Sequence, residues 1–168
     1  MGKKKIFLPD LEVHRVTDID LSLLLERGIQ GLLLDLDNTL TVWHGLRVEP
    51  MVLDWLRQAK AFGFQLCILS NSYASRVQPV GELLSIPALS MSGKPRKRAF
   101  IRGCTRLGLR PEQVAMVGDQ LFTDICGANR AGLTSILTEP IDSVEMWATA
   151  HIARPAEQLL RRYMAKGR

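Results

Sequence analysis

Short apolar runs recur along the chain and alternate with longer stretches in which apolar positions return at helical spacing. GLLLD, FQLCILS, VAMVGD and LTSILT show almost no polar alternation, so each predicts a strand buried on both faces; IPALS is a shorter candidate. Between them, DIDLSLLLERG predicts a helix capped by Asp18 or Asp20 and ended by Gly28. PMVLDWLRQAKAFG predicts another that starts at Pro50 and stops at Gly63, with Val52, Leu53, Leu56 and Ala59 as its apolar positions. SYASRVQPVGELLS is a weaker helix that Pro79 interrupts. A further helix begins near Pro95, where Ala99, Phe100, Cys104 and Leu107 share one face, and LFTDICGANRAG supplies the last crossover.

Strand and helix in strict alternation predict an α/β Rossmannoid fold: a parallel sheet of about five strands with helices on both faces. Ligands of such sheets gather beyond the carboxyl ends of the strands. Asp35, Ser70, Lys94 and Asp119 are the polar residues that stand there. No repeat, low-complexity tract or linker breaks the pattern, which predicts one domain over residues 1–168. Its last segment, RPAEQLLRRYMAK, reads as an amphipathic helix with Leu159, Leu160, Tyr163 and Met164 opposite Arg161, Arg162 and Lys166. Closing a core is the first use of such a helix, and contact with a membrane surface is the second.

Composition narrows the class. At 168 residues and 46% hydrophobic content, the chain has enough apolar surface for one core and little for a second. A net charge of +5 and a sequence pI near 9.4 favour an anionic partner, whether a phosphoester, a nucleic acid or an acidic lipid surface. Cys67, Cys104 and Cys126 are isolated and odd in number, which argues against a disulfide partner or a zinc site and suits a reducing cytoplasmic compartment. Pro9 and Asp10 cut the first apolar stretch too short for a signal peptide, and Ile6 stands where a myristoylation motif needs Ser or Thr. No apolar run approaches the roughly 18 residues a membrane span requires.

The chemistry begins at LLLDLDNTL, residues 32–40, where a buried strand ends in two carboxylates. Burying unpaired charge costs several kcal/mol or shifts the group toward neutrality, so Asp35 and Asp37 need a cation or a special use. A phosphate monoester beside them demands a hard divalent cation, and magnesium takes oxygen ligands while needing only one or two protein carboxylates. Asp35 and Asp119, at neighbouring strand ends, form the natural pair, with Asp124 one helical turn further on. Asp35 then attacks phosphorus, and Asp37 handles the protons. Ser70 and the chain near Asn71 offer hydroxyl and N–H donors to phosphoryl oxygens, and Lys94 supplies a positive charge that follows the phosphoryl group.

Taken together, D-x-D-x-T after an apolar strand, Ser70 in ILSNS, Lys94 in GKP and GDQLFTD resemble the haloacid dehalogenase (HAD) superfamily of phosphotransferases, in order and across residues 30–138. That resemblance implies Asp35 as nucleophile, Asp37 as acid/base, Ser70, Asn71 and Lys94 at the phosphate, and Mg2+ held by Asp35, Asp119, Asp124 and the Asp37 backbone carbonyl. At a finer level FLPD, DLDNTL followed by Trp43, IPALSMSGKP, GDQLFTDICGANRAG and the basic last helix resemble the YqeG-type group of subfamily IIIA, itself similar to eukaryotic phosphatidylglycerophosphate phosphatases of mitochondria and plastids. His44, where an acidic residue is common, and Gly93 and Arg96 beside Lys94 depart from that pattern and bear on the substrate rather than the chemistry. The resemblance implies a cytoplasmic enzyme, peripheral to a membrane, or an organellar one in a eukaryote.

Cap domains of this superfamily are inserted after the first motif or between the second and third. Here about 30 residues separate Asp37 from Ser70, and helix and strand use them up, as they do between Ser70 and Lys94. The expected site is uncapped and open to a large or lipid-borne phosphomonoester. Arg96, Lys97 and Arg98 begin a helix, where positive charge opposes the dipole by about 0.3–1 kcal/mol per exposed residue. They are either a solvated face or a grip on an anionic substrate or membrane. His14, His44 and His151 show no ligand spacing, and Trp43 either packs a flap turn or meets substrate. Two functions stand open at this level: a phosphatase acting on a phosphomonoester such as phosphatidylglycerophosphate, and a HAD-like module that binds RNA, a ribosome or a membrane with little catalysis, nucleic acid being the less favoured partner. A response-regulator receiver fails on placement, because ALSMSGK lacks the aspartate its third strand needs.

Overall fold

A computed structural model describes residues 6–42 and 45–141. Trp43, His44, His151 and the helix expected over 154–166 lie outside the described residues.

Six strands form one sheet: β1 (Leu11–Val13), β2 (Gly31–Leu34), β3 (Gln65–Leu69), β4 (Ala88–Leu89), β5 (Val114–Gly118) and β6 (Thr134–Thr138). All pair in parallel in the order β1-β6-β5-β2-β3-β4. The sequence predicts about five; the additional strand is β1, three residues at one edge, whose LEV is too short for a periodicity to register. The connections are α1 (Leu21–Glu26), α2 (Pro50–Ala61), α3 (Ala74–Leu84), α4 (Lys97–Leu107) and α5 (Cys126–Ala131).

Local chemistry accounts for the helix boundaries. Of the two candidate caps of α1, Asp20 takes the role, accepting hydrogen bonds from the N–H groups of Ser22 at 2.9 Å and Leu23 at 3.1 Å. Asp18 instead accepts the Arg15 N–H and closes the turn before it. Pro50 opens α2, and Gly63, at φ +90, lets the chain leave it. Pro79 does not interrupt α3, contrary to the sequence expectation. The carbonyl it leaves without an i+4 donor belongs to Ser75, and both residues are exposed, so water can take that bond.

The pleat divides the core into two layers. Leu32, Leu34, Leu66, Ile68, Ala115 and Val117 face α1, α2 and α3, whereas Leu33, Cys67, Leu69, Val114 and Met116 face α4 and α5. Both faces are covered, which is why the strands read as continuous apolar runs. Cys67, Cys104 and Cys126 are buried and free. No helix among the described residues is long and apolar enough to cross a membrane.

The topology also fixes where a ligand can bind. From β2 the chain steps to β3 and β4 on one side, then returns across the sheet to β5 on the other. The crevice at their carboxyl ends, where the direction of winding reverses, is therefore flanked by β2 and β5. Asp35 directly follows β2 and Asp119 directly follows β5, so the two acids stand at the two lips of that crevice. The backbone holds them together: the Asp35 N–H donates to the Val117 carbonyl at 2.9 Å.

Helices α4 and α5 approach so closely that a Cβ on Gly127 would run into the Phe100 ring, with Pro95 Cα at 3.1 Å on its other side. Phe100 is fully buried and cannot swing away. Gly127→Ala is expected to destabilise the protein by about 1–3 kcal/mol through overpacking, against the roughly 1 kcal/mol by which alanine favours an exposed helix. Urea unfolding measures it; an unchanged or raised midpoint would contradict the packing described.

Candidate active site

Strand ends and the segments that follow them bring Asp35, Ser70, Lys94, Asp119 and Asp124 to the crevice. Lys94 is the centre: its buried Nζ donates to Asp35 Oδ1 at 2.6 Å and to Asp124 Oδ1 at 2.7 Å. Asp124 reaches the cluster because residues Leu121–Ile125 make one π-helical turn before α5, widening the backbone just there. Its other oxygen, Oδ2, accepts the Gln120 N–H at 3.1 Å. Asp124 also lies flat against Gly118, where any Cβ would strike its carboxylate. The glycine of GDQ is thus explained by contact with an acid six residues on.

Burial, together with mutual repulsion, sets the electrostatics. Desolvation is the largest influence on Asp35 and raises it to about 7; Lys94 opposes this, while Asp124 and Asp37 add to it. Asp119 is also held well above the usual carboxylate range, first by burial and then by the charges of Asp35 and Asp124. Burial pulls Lys94 down, but Asp124 and Asp35 together outweigh it and leave the amine above its ordinary value. Four carboxylates, Asp35, Asp37, Asp119 and Asp124, thus meet two paired cations, Lys94 and Arg76. Negative charge is in excess.

That excess, and the disposition of the oxygens, suit a divalent cation. Asp35, Asp119 and Asp124 each bring one carboxylate oxygen within 4.8 Å of the others. Among the described residues Asp119 Oδ1 is buried with no hydrogen-bond partner, a position an acid rarely keeps without a cation to face. An all-oxygen donor set of this kind matches magnesium better than a softer metal.

Asn71 and Arg76 modify what the sequence suggests. The side chain of Asn71, expected among the donors to phosphate, is taken up by the loop that carries Lys94. Its Oδ1 accepts Ser92 Oγ at 2.9 Å, Gly93 N–H at 3.1 Å and Lys94 N–H at 2.9 Å, and its Nδ2 donates to the Lys94 carbonyl at 3.1 Å. Its backbone N–H and the second hydrogen of Nδ2 remain as donors to a phosphate. Ser70 is buried at the end of β3, its Oγ accepting the Ser72 N–H at 3.1 Å. Asp37 is gripped by two residues that sequence reasoning overlooks: Ser72 Oγ donates to its Oδ2 at 2.6 Å, and Arg76 reaches its Oδ1 through Nε at 2.9 Å and through Nη2. Arg76 lies in the first turn of α3, where a cation is unfavourable. That misplacement was the available signal. Arg96, Lys97 and Arg98 are exposed, and His14 is a surface residue paired with Glu139 at 2.6 Å.

A family model described as a haloacid dehalogenase-like hydrolase matches residues 25–132. The chain belongs to that family. Within it, the chain is 35% identical over 164 residues to a Bacillus subtilis (strain 168) protein named "Probable phosphatase YqeG", covering 98% of this chain and 95% of that one. It is 29% identical over 174 residues to phosphatidylglycerophosphate phosphatase 1, chloroplastic/mitochondrial, of Arabidopsis thaliana, covering 98% of this chain and 50% of that protein. A crystal structure of a protein from Listeria monocytogenes serotype 4b shares the fold, with a TM-score of 0.57 at 20% identity, over 80% of this chain and 99% of its own. This HAD-family member is accordingly a phosphoric monoester hydrolase, built on the uncapped Rossmannoid sheet that the motif spacing implies.

The raised carboxylates make a prediction about stability. Asp35, raised from 3.8 to about 7, contributes stability that is fully present below pH 3.8 and is lost as pH rises through about 7, and Asp119, shifted in the same direction, acts with the same sign. Metal-free protein should therefore lose Tm between about pH 4 and pH 8 from this cluster, more than Asp119→Asn does. Magnesium at about 100 times its Kd should restore about 2.7 kcal/mol, on the order of 5–10 °C, and restore more at pH 8 than at pH 5. Scanning calorimetry with and without chelator checks this; a magnesium effect independent of pH would contradict it.

Proposed function

We propose that this HAD-family phosphatase is magnesium-dependent, works through an aspartyl-phosphate on Asp35, and acts on phosphatidylglycerophosphate at a membrane surface. The observation that carries the chemistry is the Lys94 ammonium, buried between Asp35 and Asp124 at the crevice. A substrate phosphoryl group entering there meets a carboxylate oxygen already oriented by Lys94.

Asp35 attacks phosphorus, forming a P–O bond as the bond to the alcohol oxygen breaks on the opposite side. Asp37 gives a proton to that departing oxygen, and afterwards takes one from the water that attacks the aspartyl-phosphate, as the P–O bond to Asp35 breaks and inorganic phosphate leaves. Ser70 Oγ and the Asn71 backbone N–H bond the phosphoryl oxygens, and Lys94 balances their charge throughout. Asp35, Asp119, Asp124 and the Asp37 carbonyl would hold magnesium, which would neutralise phosphoryl charge and keep the carboxylates from repelling the substrate. Ser72 and Arg76 hold Asp37 toward the leaving side.

The choice of substrate rests on the name of the Arabidopsis relative and on the open mouth. With α2 and β3 filling the chain between Asp37 and Ser70, and α3 and β4 filling it as far as Lys94, nothing inserted covers the crevice. Exposed Arg96, Lys97 and Arg98 beside Lys94 would favour an anionic bilayer, giving a cytoplasmic or organellar protein peripheral to it. No observation favours the alternative of a binding module for RNA or a ribosome.

Magnesium-dependent phosphate release from p-nitrophenyl phosphate, phosphatidylglycerophosphate in mixed micelles and phosphopeptides tests the reading. Asp35→Asn, with Tm and circular dichroism unchanged, is expected to lose at least about 1,000-fold in turnover on every substrate, and the lipid should be the best of them. Steady turnover in Asp35→Asn would remove the aspartyl-phosphate, and a lipid rate no better than the others would remove the substrate.

A further inference from the structure

The Arg76 guanidinium is bound on one side only. Nε and Nη2 hold Asp37, and Nη2 also reaches Thr41 Oγ1 at 3.4 Å. Among the described residues Nη1 makes no hydrogen bond, and the side chain keeps 12% of its surface exposed at the crevice. Ser72 already fixes the other oxygen of Asp37 at 2.6 Å, so orienting that carboxylate does not by itself require a second, forked donor.

Position gives the unbound edge a use. If Asp37 meets the leaving oxygen, as proposed above, the guanidinium lies two hydrogen bonds and a carboxylate's width from that oxygen, about 8 Å along the contacts. An extended three-carbon alcohol places its next oxygen roughly 5 Å from the ester oxygen, and a hydrogen bond of about 3 Å from there covers the same span. A guanidinium matches the planar oxygen pair of a phosphodiester or carboxylate better than any other side chain does. The uncapped mouth leaves this side of the crevice without an inserted domain that could supply such a group.

We infer that Arg76 is a specificity-determining residue that binds a second anionic group on the leaving alcohol, selecting phosphomonoesters whose alcohol carries a phosphodiester or carboxylate about three carbons from the ester oxygen. The inference rests on the proposed placement of Asp37. The shared chemistry occurs both in a lipid headgroup and in small water-soluble esters, and the substrates can separate them.

The experiment compares kcat/KM, with magnesium, for two groups of esters. Phosphatidylglycerophosphate in micelles, its deacylated water-soluble backbone and 3-phosphoglycerate carry the second anion; glycerol 3-phosphate and p-nitrophenyl phosphate do not. Wild type should favour the first group, and Arg76→Gln should cut that preference by about 10- to 100-fold, the worth of a charge-assisted hydrogen bond or two. Arg76→Lys should keep part of it. Any general loss from a loosened Asp37 lowers the alkyl esters of both groups alike and cancels in the ratio to glycerol 3-phosphate, whereas p-nitrophenyl phosphate, whose leaving oxygen needs little protonation, reports the remaining steps. A preference for the micellar lipid over its deacylated backbone that survives in Arg76→Gln is a membrane effect and not the work of Arg76. A wild-type enzyme with no preference, or variants that keep it unchanged, overturns the inference, while phosphate release from p-nitrophenyl phosphate in the same assay shows that the phosphatase reading still stands. No release from any ester, with Tm intact, sinks both together.

Discussion

The buried ammonium of Lys94 between Asp35 and Asp124 is the contact on which the remainder of the site depends. An ion triad out of water is held only when each charge is paired and hydrogen-bonded, and removing one member would leave the others exposed to the full cost of burial. The surrounding structure supplies those conditions from three separate segments. Asn71 clamps the loop that presents Lys94, the π-helical turn advances Asp124, Gly118 makes room for it, and the Val117 carbonyl anchors Asp35. None of these contacts is itself chemistry, yet each fixes an atom that chemistry would use.

The triad nevertheless leaves the site short of positive charge. Asp119 and Asp37 add two carboxylates, and Arg76 answers one of them. A scaffold with no use for a cation would gain stability by replacing Asp119 with a neutral residue. Keeping it, with one oxygen buried and without a partner among the described residues, suits a site that takes a divalent cation. The phosphatase names of its relatives and the donor set therefore point the same way from independent grounds.

Asp35 and Asp37 are two residues apart but live in different surroundings. Asp35 faces Lys94 and the acids that follow β5, whereas Asp37 is turned toward the start of α3, where Arg76 and, from the loop before it, Ser72 receive it. Under the proposed mechanism that separation lets one carboxylate serve as nucleophile while the other manages protons, as in other sites where two acids are given different environments. The same proposal puts Arg76 on the alcohol side of the reaction, where discrimination between substrates has to occur once the phosphoryl side is common to all of them.

The sequence by itself determined the architecture, the family and the class of reaction. Continuous apolar strands could only be buried on both faces, and helices at 3.6 spacing between them required a parallel sheet, so Asp35, Ser70, Lys94 and Asp119 had to emerge at one edge. It missed β1, because three residues at a sheet edge carry no period, and it took Pro79 for a break because exposure of the Ser75 carbonyl is not written in the order of residues. Only the tertiary structure decided the partners. Asn71 turned from phosphate to the Lys94 loop, and Arg76 came to Asp37 from 39 residues away, because hydrogen-bond partners are set by where the backbone places atoms in space, which spacing along the chain does not encode.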